Sequence, residues 1–510
     1  GITKIKYLDE KIINDLTAYR KKVDPHGIMN PQKLTSKAIL NKVFTPSFNL
    51  LELEARILKR GKLETLAHKI AYCLRCGKCK SDCCVFHPAR NMFFHPRNKN
   101  LAIGSLIEAV LFEAQRYRST TFGLLENLEE IADHCTICHK CLEPCPVDID
   151  SGEITILERN ILASRGIKRT PLATKMTLKY LSSKSKVLNN TAQKTILAPG
   201  SRIQNITSHA VRPLYNAHAP NGNYLANLLH SPLLPVSFKT LHDYLPGCNE
   251  NQSLVFEGSA HPQKTYLYFP GCGSERMFPE ISLAALYILL KNDARVILPP
   301  PYLCCGFPMS VNGKEELHSK IVLRNTIILS QIRDMFQHLE FDAVCISCGT
   351  CKEALEHMGI EEIFSTKIKD VVTVNQLKTK THESVLYHQP CHDSLEENGP
   401  GLIREKTGNQ VTSVPHCCSE AGTLSLSRPD ISSAMRNKKE MAFRQAADIH
   451  NGKEKQLTLT NCPSCLQGLS RQNMNLKVEH LVVYLTKNIG GKGWKKELQQ
   501  MLKQYDRVTF

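Results

Sequence analysis

Most of the twenty-one cysteines in this 510-residue chain fall at spacings that chelate metal. Cys73, Cys76, Cys79 and Cys83 follow C-x2-C-x2-C-x3-C. Cys135, Cys138, Cys141 and Cys145 repeat the run, with Pro146 behind the last. Three closely spaced thiolates wrap one corner of a four-iron cubane, and the fourth ligand comes from the other run when two clusters share the chain. The spacing therefore predicts one [4Fe–4S] cluster on Cys73, Cys76, Cys79 and Cys145, and a second on Cys135, Cys138, Cys141 and Cys83. The competing chemistry is a pair of structural zinc sites. Zinc suits C-x2-C pairs, but not three cysteines at i, i+3 and i+6 twice over. Cys84 stands where the first run would carry proline, so it competes with Cys83 as a ligand.

Ten further cysteines form two sets of the same shape: a lone Cys, an adjacent pair and a C-x2-C. The first is Cys272, Cys304, Cys305, Cys348 and Cys351, and the second is Cys391, Cys417, Cys418, Cys462 and Cys465. Five thiols exceed what a cubane or a zinc ion needs, and adjacent cysteines serve one tetrahedral zinc poorly. The plain readings are a cubane with a spare cysteine or a zinc site, and the second set carries Ser419 where the first has the glycine of Cys304-Cys305-Gly306. Cys345 precedes Cys348 at C-x2-C spacing and competes with it; the repeat favours Cys348 with Cys351. Cys248 is expected to be a bystander. His388, His392 and His416 lie beside the second set and are candidates for tuning a cluster by hydrogen bonding. No glycine-rich phosphate loop and no convincing acid–base pair is present, so no catalytic residue is assigned.

The elements that position these cysteines follow from pattern. Residues 261–510 contain an internal repeat. Tyr266 to Cys272 matches Val385 to Cys391, Cys304-Cys305 matches Cys417-Cys418, and Cys348 to Leu355 matches Cys462 to Leu469. Short β-like runs precede the cysteines at Tyr266–Phe269, Arg295–Leu298, Asp342–Ile346, Val385–His388, Val411–Val414 and Leu457–Leu459. Helical stretches follow at Ile281–Leu290, Glu315–Phe336 and Ile431–Ala447. Each repeat reads as a small open α/β unit with its cysteines at the carboxyl edge of a sheet, where such sheets collect ligands. The expected class is multidomain α plus α/β. Residues 47–165 read as a helical two-cluster unit and 166–260 as a basic linker carrying two helices, near Leu172–Leu181 and Tyr224–Leu229. Residues 261–380 and 381–510 read as the two cysteine-rich units.

Bulk properties narrow the class. No run nears the roughly 18 apolar residues that span a bilayer, and no signal-peptide pattern opens the chain. Reduced thiols fit a cytoplasmic location better than a disulfide framework does. The net charge of +17 accompanies no nucleic-acid motif, and cluster thiolates would offset part of it, so nucleic acid is not an expected partner.

The two runs resemble bacterial ferredoxins. The 51 residues between Cys83 and Cys135 match the all-helical ferredoxin units of succinate dehydrogenase iron–sulfur subunits. The Cys-Cys-Gly sets resemble the cysteine-rich (CCG) domains of heterodisulfide reductase B subunits and of glycolate and lactate oxidase iron–sulfur subunits. That likeness implies one or two further [4Fe–4S] clusters, which in the former are non-cubane. The stretch Asp24-Pro25-His26-Gly27-Ile28-Met29-Asn30-Pro31 resembles the end of an FAD-linked oxidase domain, which makes residues 1–46 look like the remnant of one. By this resemblance the chain is the iron–sulfur C-terminal portion of an FAD-linked 2-hydroxyacid dehydrogenase of the D-lactate or glycolate type. The implied partners are a flavin domain or subunit and a quinone or other acceptor, with peripheral association at the inner membrane face. The alternatives are a heterodisulfide-reductase-like thiol/disulfide reductase and a zinc-stapled scaffold.

Overall fold

A computed structural model describes residues 8–26, 62–86, 94–116, 126–211, 224–229, 232–448, 456–472 and 474–510. The chain is mixed α/β with two sheets. Helix α1 (Glu10–Val23) begins at Asp9, whose carboxylate accepts from Lys11 N, and stops at Asp24 as the following proline requires. The remainder of the Asp24–Pro31 motif lies outside the described residues, as does the expected helical pattern before residue 62.

Helices α2 (Lys62–Ala71), α3 (Pro96–Arg116), α4 (Asn127–Asp133) and α5 (Ser151–Ser164) surround the two cysteine runs. Their core is Leu66, Ala67, Ile70, Ile103, Ile107, Leu128, Ala132 and Ile154. Buried Arg159 on α5 ties this unit to the first repeat: it donates to Ala132 O, to Cys135 O and to Val311 O at 2.5 Å.

Residues 166–260 are more structured than a linker. They form α6 (Leu172–Ser182), α7 (Lys186–Ala192), a π-helical turn at Gln193–Leu197, α8 (Ala198–Val211), α9 (Tyr224–Leu229) and strand β1 (Gln252–Glu257). The composition looks solvated because polar groups do the packing here. Tyr180 Oη donates to Gln193 Oε1 at 2.6 Å, and Asn189 bonds the carbonyls of Ser183 and Ser185. Fully buried Arg276, from the first repeat, donates to Tyr180 O, Asn189 Oδ1, Ser183 O and Tyr302 O.

The repeats share one topology. The first holds β2 (Lys264–Phe269), β3 (Ala294–Leu298), β4 (Ala343–Ile346) and β5 (Ile368–Asp370); the second holds β6 (Ser384–His388), β7 (Gln410–Ser413), β8 (Gln456–Thr460) and β9 (Leu476–His480). The orders β3-β2-β4-β5 and β7-β6-β8-β9 are equivalent and parallel. The central strands are continuous buried runs, as a parallel sheet covered on both faces demands. Strand order reverses around β2 and around β6, and the cysteines follow those strands and their neighbours, at the switch point where ligands bind. The connection from β2 to β3 carries α10 (Pro279–Lys291) and that from β6 to β7 the shorter helix Gly399–Thr407. This accounts for most of the difference in spacing, 31 residues between Cys272 and Cys304 against 25 between Cys391 and Cys417.

Each repeat has a core of its own, around Leu267, Val344 and Phe364 in the first and Leu386, Val414 and Phe443 in the second, and the two share a third. One buried cluster joins Tyr266, Leu286 and Val296 to Val385, Leu459, Leu481 and Trp494. The first sheet also gains two antiparallel strands from outside its repeat: β1 pairs with β3 and with β10 (Tyr505–Thr509) at the chain's end.

Candidate iron–sulfur centres

The two ferredoxin-like runs fold alike. Arg75 and Ile137, each two residues past its first cysteine, are left-handed at φ 56° and 54°; Gly77 and His139, each just past the second, are left-handed at 79° and 56°. Such turns aim successive N–H groups inward, as anion-binding loops do. Ile137 N donates to Cys135 Sγ at 3.4 Å and Ile149 N to Cys145 Sγ at 3.2 Å. Cys73 lies beside Cys76 and Cys145, and Cys79 beside Cys73 and Cys76. Together with Cys141 they line one small pocket with Pro146. Cys83 faces Cys135, and Cys141 sits beside Cys135 and Cys138.

Ten thiols of the repeats form one continuous line. Neighbouring side chains touch in the order Cys272, Cys304, Cys305, Cys351, Cys348, Cys462, Cys465, Cys418, Cys417 and Cys391. The junction is Cys348 with Cys462, which are equivalent residues of the two repeats. The far end, Cys391, touches Cys138 of the helical unit. Cys345 is buried in β4 and Cys248 bonds the carbonyls of Asn249 and Gln252, so neither joins the line.

Two glycines permit this junction. A Cβ on Gly349 would lie 1.8 Å from His392 O, and one on Gly273 would lie 2.9 Å from Pro463 Cβ. Each glycine directly follows a cysteine of the first repeat and meets the residue after a cysteine of the second. The seam is thus pseudo-symmetric, and the absent side chains let it close. Buried Asp370 crosses it, accepting from Ser394 Oγ at 2.7 Å and Asn461 Nδ2 at 2.6 Å; burial pushes its carboxyl up to about 6.

The two sets differ in their surroundings. Gly306 N donates to Cys304 Sγ at 3.5 Å, and Ser419 N to Cys417 Sγ at 3.4 Å, so the serine keeps the bond to sulfur. It does so in the same left-handed conformation, φ 73° against 84° for Gly306, and its own hydroxyl is buried without a partner. Asn325 donates to Cys304 O in the first set. In the second, the buried Lys439 ammonium donates to Val414 O and Pro415 O and lies 3.0 Å from His388 Nδ1. Burial pulls Lys439 down to about 7, although the neighbouring thiolates oppose it. His388, Cys418 and Cys465 offer ligand atoms within 4.8 Å of one another. His392 instead pairs with Glu353, which also faces His139, so one carboxylate of the first repeat joins the helical unit to the second repeat. His416 is exposed. Sequence alone does not single out Lys439, Glu353 or Asp370, because nothing in their spacing marks them as inward-facing.

The donor set fits iron–sulfur clusters. Burial pushes the Cys79 thiol up to about 11 and Cys141 up to about 12. Thiols so crowded and desolvated lose their protons at neutral pH only to a bound metal cation. A cavity of about 400 Å³ connects cysteines of both repeats, large enough for inorganic clusters, and its outer wall is apolar: Leu181, Leu197, Val236 and Met277.

Comparison with known proteins agrees with this geometry. Residues 69–149 match the 4Fe-4S dicluster domain, and residues 266–356 and 385–470 each match the cysteine-rich domain. The chain is an iron–sulfur electron-transfer module. It is 22% identical over 461 residues to a probable glycolate oxidase iron-sulfur subunit of Bacillus subtilis, covering 82% of this chain and 94% of that one. It is 26% identical over 215 residues to a subunit of the fumarate reductase (CoM/CoB) of Methanothermobacter marburgensis, covering 39% of this chain and 40% of that one. Lactate utilization protein A 2 of Bacillus cereus is 23% identical over 251 residues, 43% of this chain and 97% of its own. No helix among the described residues is long and apolar enough to cross a membrane.

Proposed function

We propose that this module carries electrons from a flavin-linked 2-hydroxyacid dehydrogenase, of the glycolate or lactate type, to a quinone or another acceptor. The reading rests on the unbroken line of thiols from the helical unit through both repeats, and the names of the relatives support the substrate class. Cys73, Cys76, Cys79 and Cys145 would hold one cluster, and Cys83, Cys135, Cys138 and Cys141 a second. Cys391, Cys417, Cys418, Cys462 and Cys465 would hold a third, and Cys272, Cys304, Cys305, Cys348 and Cys351 a fourth. Bound there, [4Fe–4S] clusters supply one-electron carriers whose potentials follow burial and hydrogen bonds to sulfur.

The protein's own groups do the rest. Ile137, Ile149, Gly306 and Ser419 direct N–H groups at sulfur, and seven of the ten repeat thiols are buried from water. The thiols of the second repeat meet those of the helical unit at Cys391 and Cys138, so the order of the thiols departs from chain order. The acceptor end is then the first repeat, roofed by α6 and the turn at Gln193–Leu197, which pack on Cys304 and Cys272. The apolar cavity wall at that end suits a quinone. It also favours a second reading, in which a disulfide substrate is reduced to two thiols by electrons that a repeat cluster would supply, with the protons drawn from solvent.

Anaerobic purification with iron and sulfide counting, followed by electron paramagnetic resonance during reductive titration, tests the proposal. Four clusters require about sixteen irons per chain. Fewer than about eight, or zinc without iron, refutes it. Reoxidation of the reduced protein by a soluble quinone, against no reoxidation by a disulfide, separates the two readings.

A further inference from the structure

Cys84 is the one cysteine beside the clusters with no assigned task. Its neighbour Cys83 faces Cys135. The Cys84 thiol faces elsewhere: it is 3.0 Å from Thr136 Oγ1, 3.7 Å from Cys138 Sγ, and in contact with Cys417. Cys138 in turn touches Cys391. Cys84, Cys138, Cys391 and Cys417 therefore converge from two parts of the chain, with Lys140 beside all four. The segment is anchored for this: Val85 is buried in the apolar cluster of Cys417, Cys418, Cys462 and Cys465, and Cys83 and Cys84 pack against it.

A second observation comes from the matching run. There Pro146 follows Cys145 and lines the pocket of the first cluster. Proline offers no ligand. The thiol appears only in the run whose end meets the second repeat.

We propose that Cys84 is a ligand of the second repeat's cluster, supplied by the helical unit, so that the single peptide link Cys83–Cys84 joins two neighbouring clusters. This rests on the second repeat holding a cluster, as proposed above. On ligation the Cys84 S–H bond is replaced by S–Fe and one proton leaves to solvent. Adjacent residues then bind adjacent clusters, which fixes the distance between them and provides a short covalent path. The first repeat's set draws all five of its thiols from its own repeat.

The test uses the full chain, purified anaerobically. Cys418→Ala identifies the resonance and Mössbauer signals of the second-repeat cluster, and Cys83→Ser those of the neighbouring cubane. Cys84→Ser is expected to shift, or to halve or worse, the Cys418-sensitive signals and to spare the Cys83-sensitive ones. Unchanged Cys418-sensitive signals overturn the proposal, and so does loss of the Cys83-sensitive ones, which would make Cys84 a ligand of the cubane. Should Cys84→Ser not fold, alkylation of the native chain followed by mass spectrometry decides. Cys84 is expected to be protected in wild type and labelled at least tenfold faster in Cys418→Ala; equal labelling overturns the proposal. If wild type shows no Cys418-sensitive signal at all, the second-repeat cluster itself is refuted, a result distinct from a silent Cys84→Ser.

Discussion

Gly349→Ala tests the seam between the repeats. Gly349 opens α11 (Gly349–His357), and its conformation accepts alanine without strain. The obstacle is external: the new Cβ would meet His392 O at 1.8 Å and Ser394 N at 3.1 Å. Real Cβ contacts essentially never fall below 3.0 Å, so the 392–394 loop must retreat by about 1.2 Å. Overpacking costs typically about 1–3 kcal/mol, and a backbone neighbour that cannot rotate away places this case at the upper end. At about 2–4 °C per kcal/mol for a unit of this size, the repeats should unfold about 6–12 °C lower. Calorimetry of the iron-loaded chain measures this, with Gly200→Ala as the control. Gly200 lies within α8 with nothing near its missing Cβ, and alanine there should stabilise by about 1 kcal/mol. Because the loop carries Cys391 and abuts Cys348, Gly349→Ala should also weaken magnetic coupling between the repeat clusters without loss of iron. An unchanged unfolding temperature would refute the seam as described.

Ser419→Gly removes a left-handed serine worth about 1 kcal/mol and a buried unpaired hydroxyl worth about 1, against about 1 for glycine's unfolded entropy. It should stabilise the second repeat by about 1 kcal/mol in thermal unfolding, whereas Gly306→Ser should destabilise the first, where the new Cβ meets His318 at 3.0 Å. Arg276→Met removes four hydrogen bonds and the charge beside buried Glu275 and should cost about 3–5 kcal/mol; limited proteolysis should then cut within residues 172–211, and an intact helical roof would contradict the assignment. Burial pushes the Glu158 carboxyl up to about 8 from 4.5. The folded state therefore keeps a proton that the unfolded state has lost, and wild-type stability falls as pH rises through that window. Glu158→Gln should flatten this fall between about pH 5 and about pH 9, and an equal fall in both chains would argue against a protonated Glu158.

Six of the eight repeat strands are legible to within a residue or two; the edge strands β5 and β9 are not among them. Tyr266–Phe269 and Val385–Tyr387 are uninterrupted apolar runs, and uninterrupted burial is what a covered parallel strand needs. Their cysteines are legible for the same reason, since chelation fixes spacing. The arrangement of the two sets is not. That the second set lies nearest the helical unit depends on Gly349, Gly273, Arg159 and Glu353, which act between segments far apart in the chain and leave no local pattern. Helix α7 and the turn at Gln193–Leu197 are hidden because Arg276, Gln193 and Asn189 secure them with hydrogen bonds rather than an apolar stripe. Short apolar runs mark α6 and α9, whereas α7 and α8 carry no such mark.

Strand β10 has a consequence for synthesis. It covers the free edge of β1, from Gln252↔Thr509 to Phe256↔Tyr505, yet it follows both repeats in the chain. Until it emerges from the ribosome, the first sheet presents an unpaired strand edge, a template for aggregation that folded proteins normally blunt. A chain interrupted between Leu502 and Tyr505 would carry every cluster cysteine named above with that edge still open. Completion of the sheet therefore waits on residues that ligate nothing.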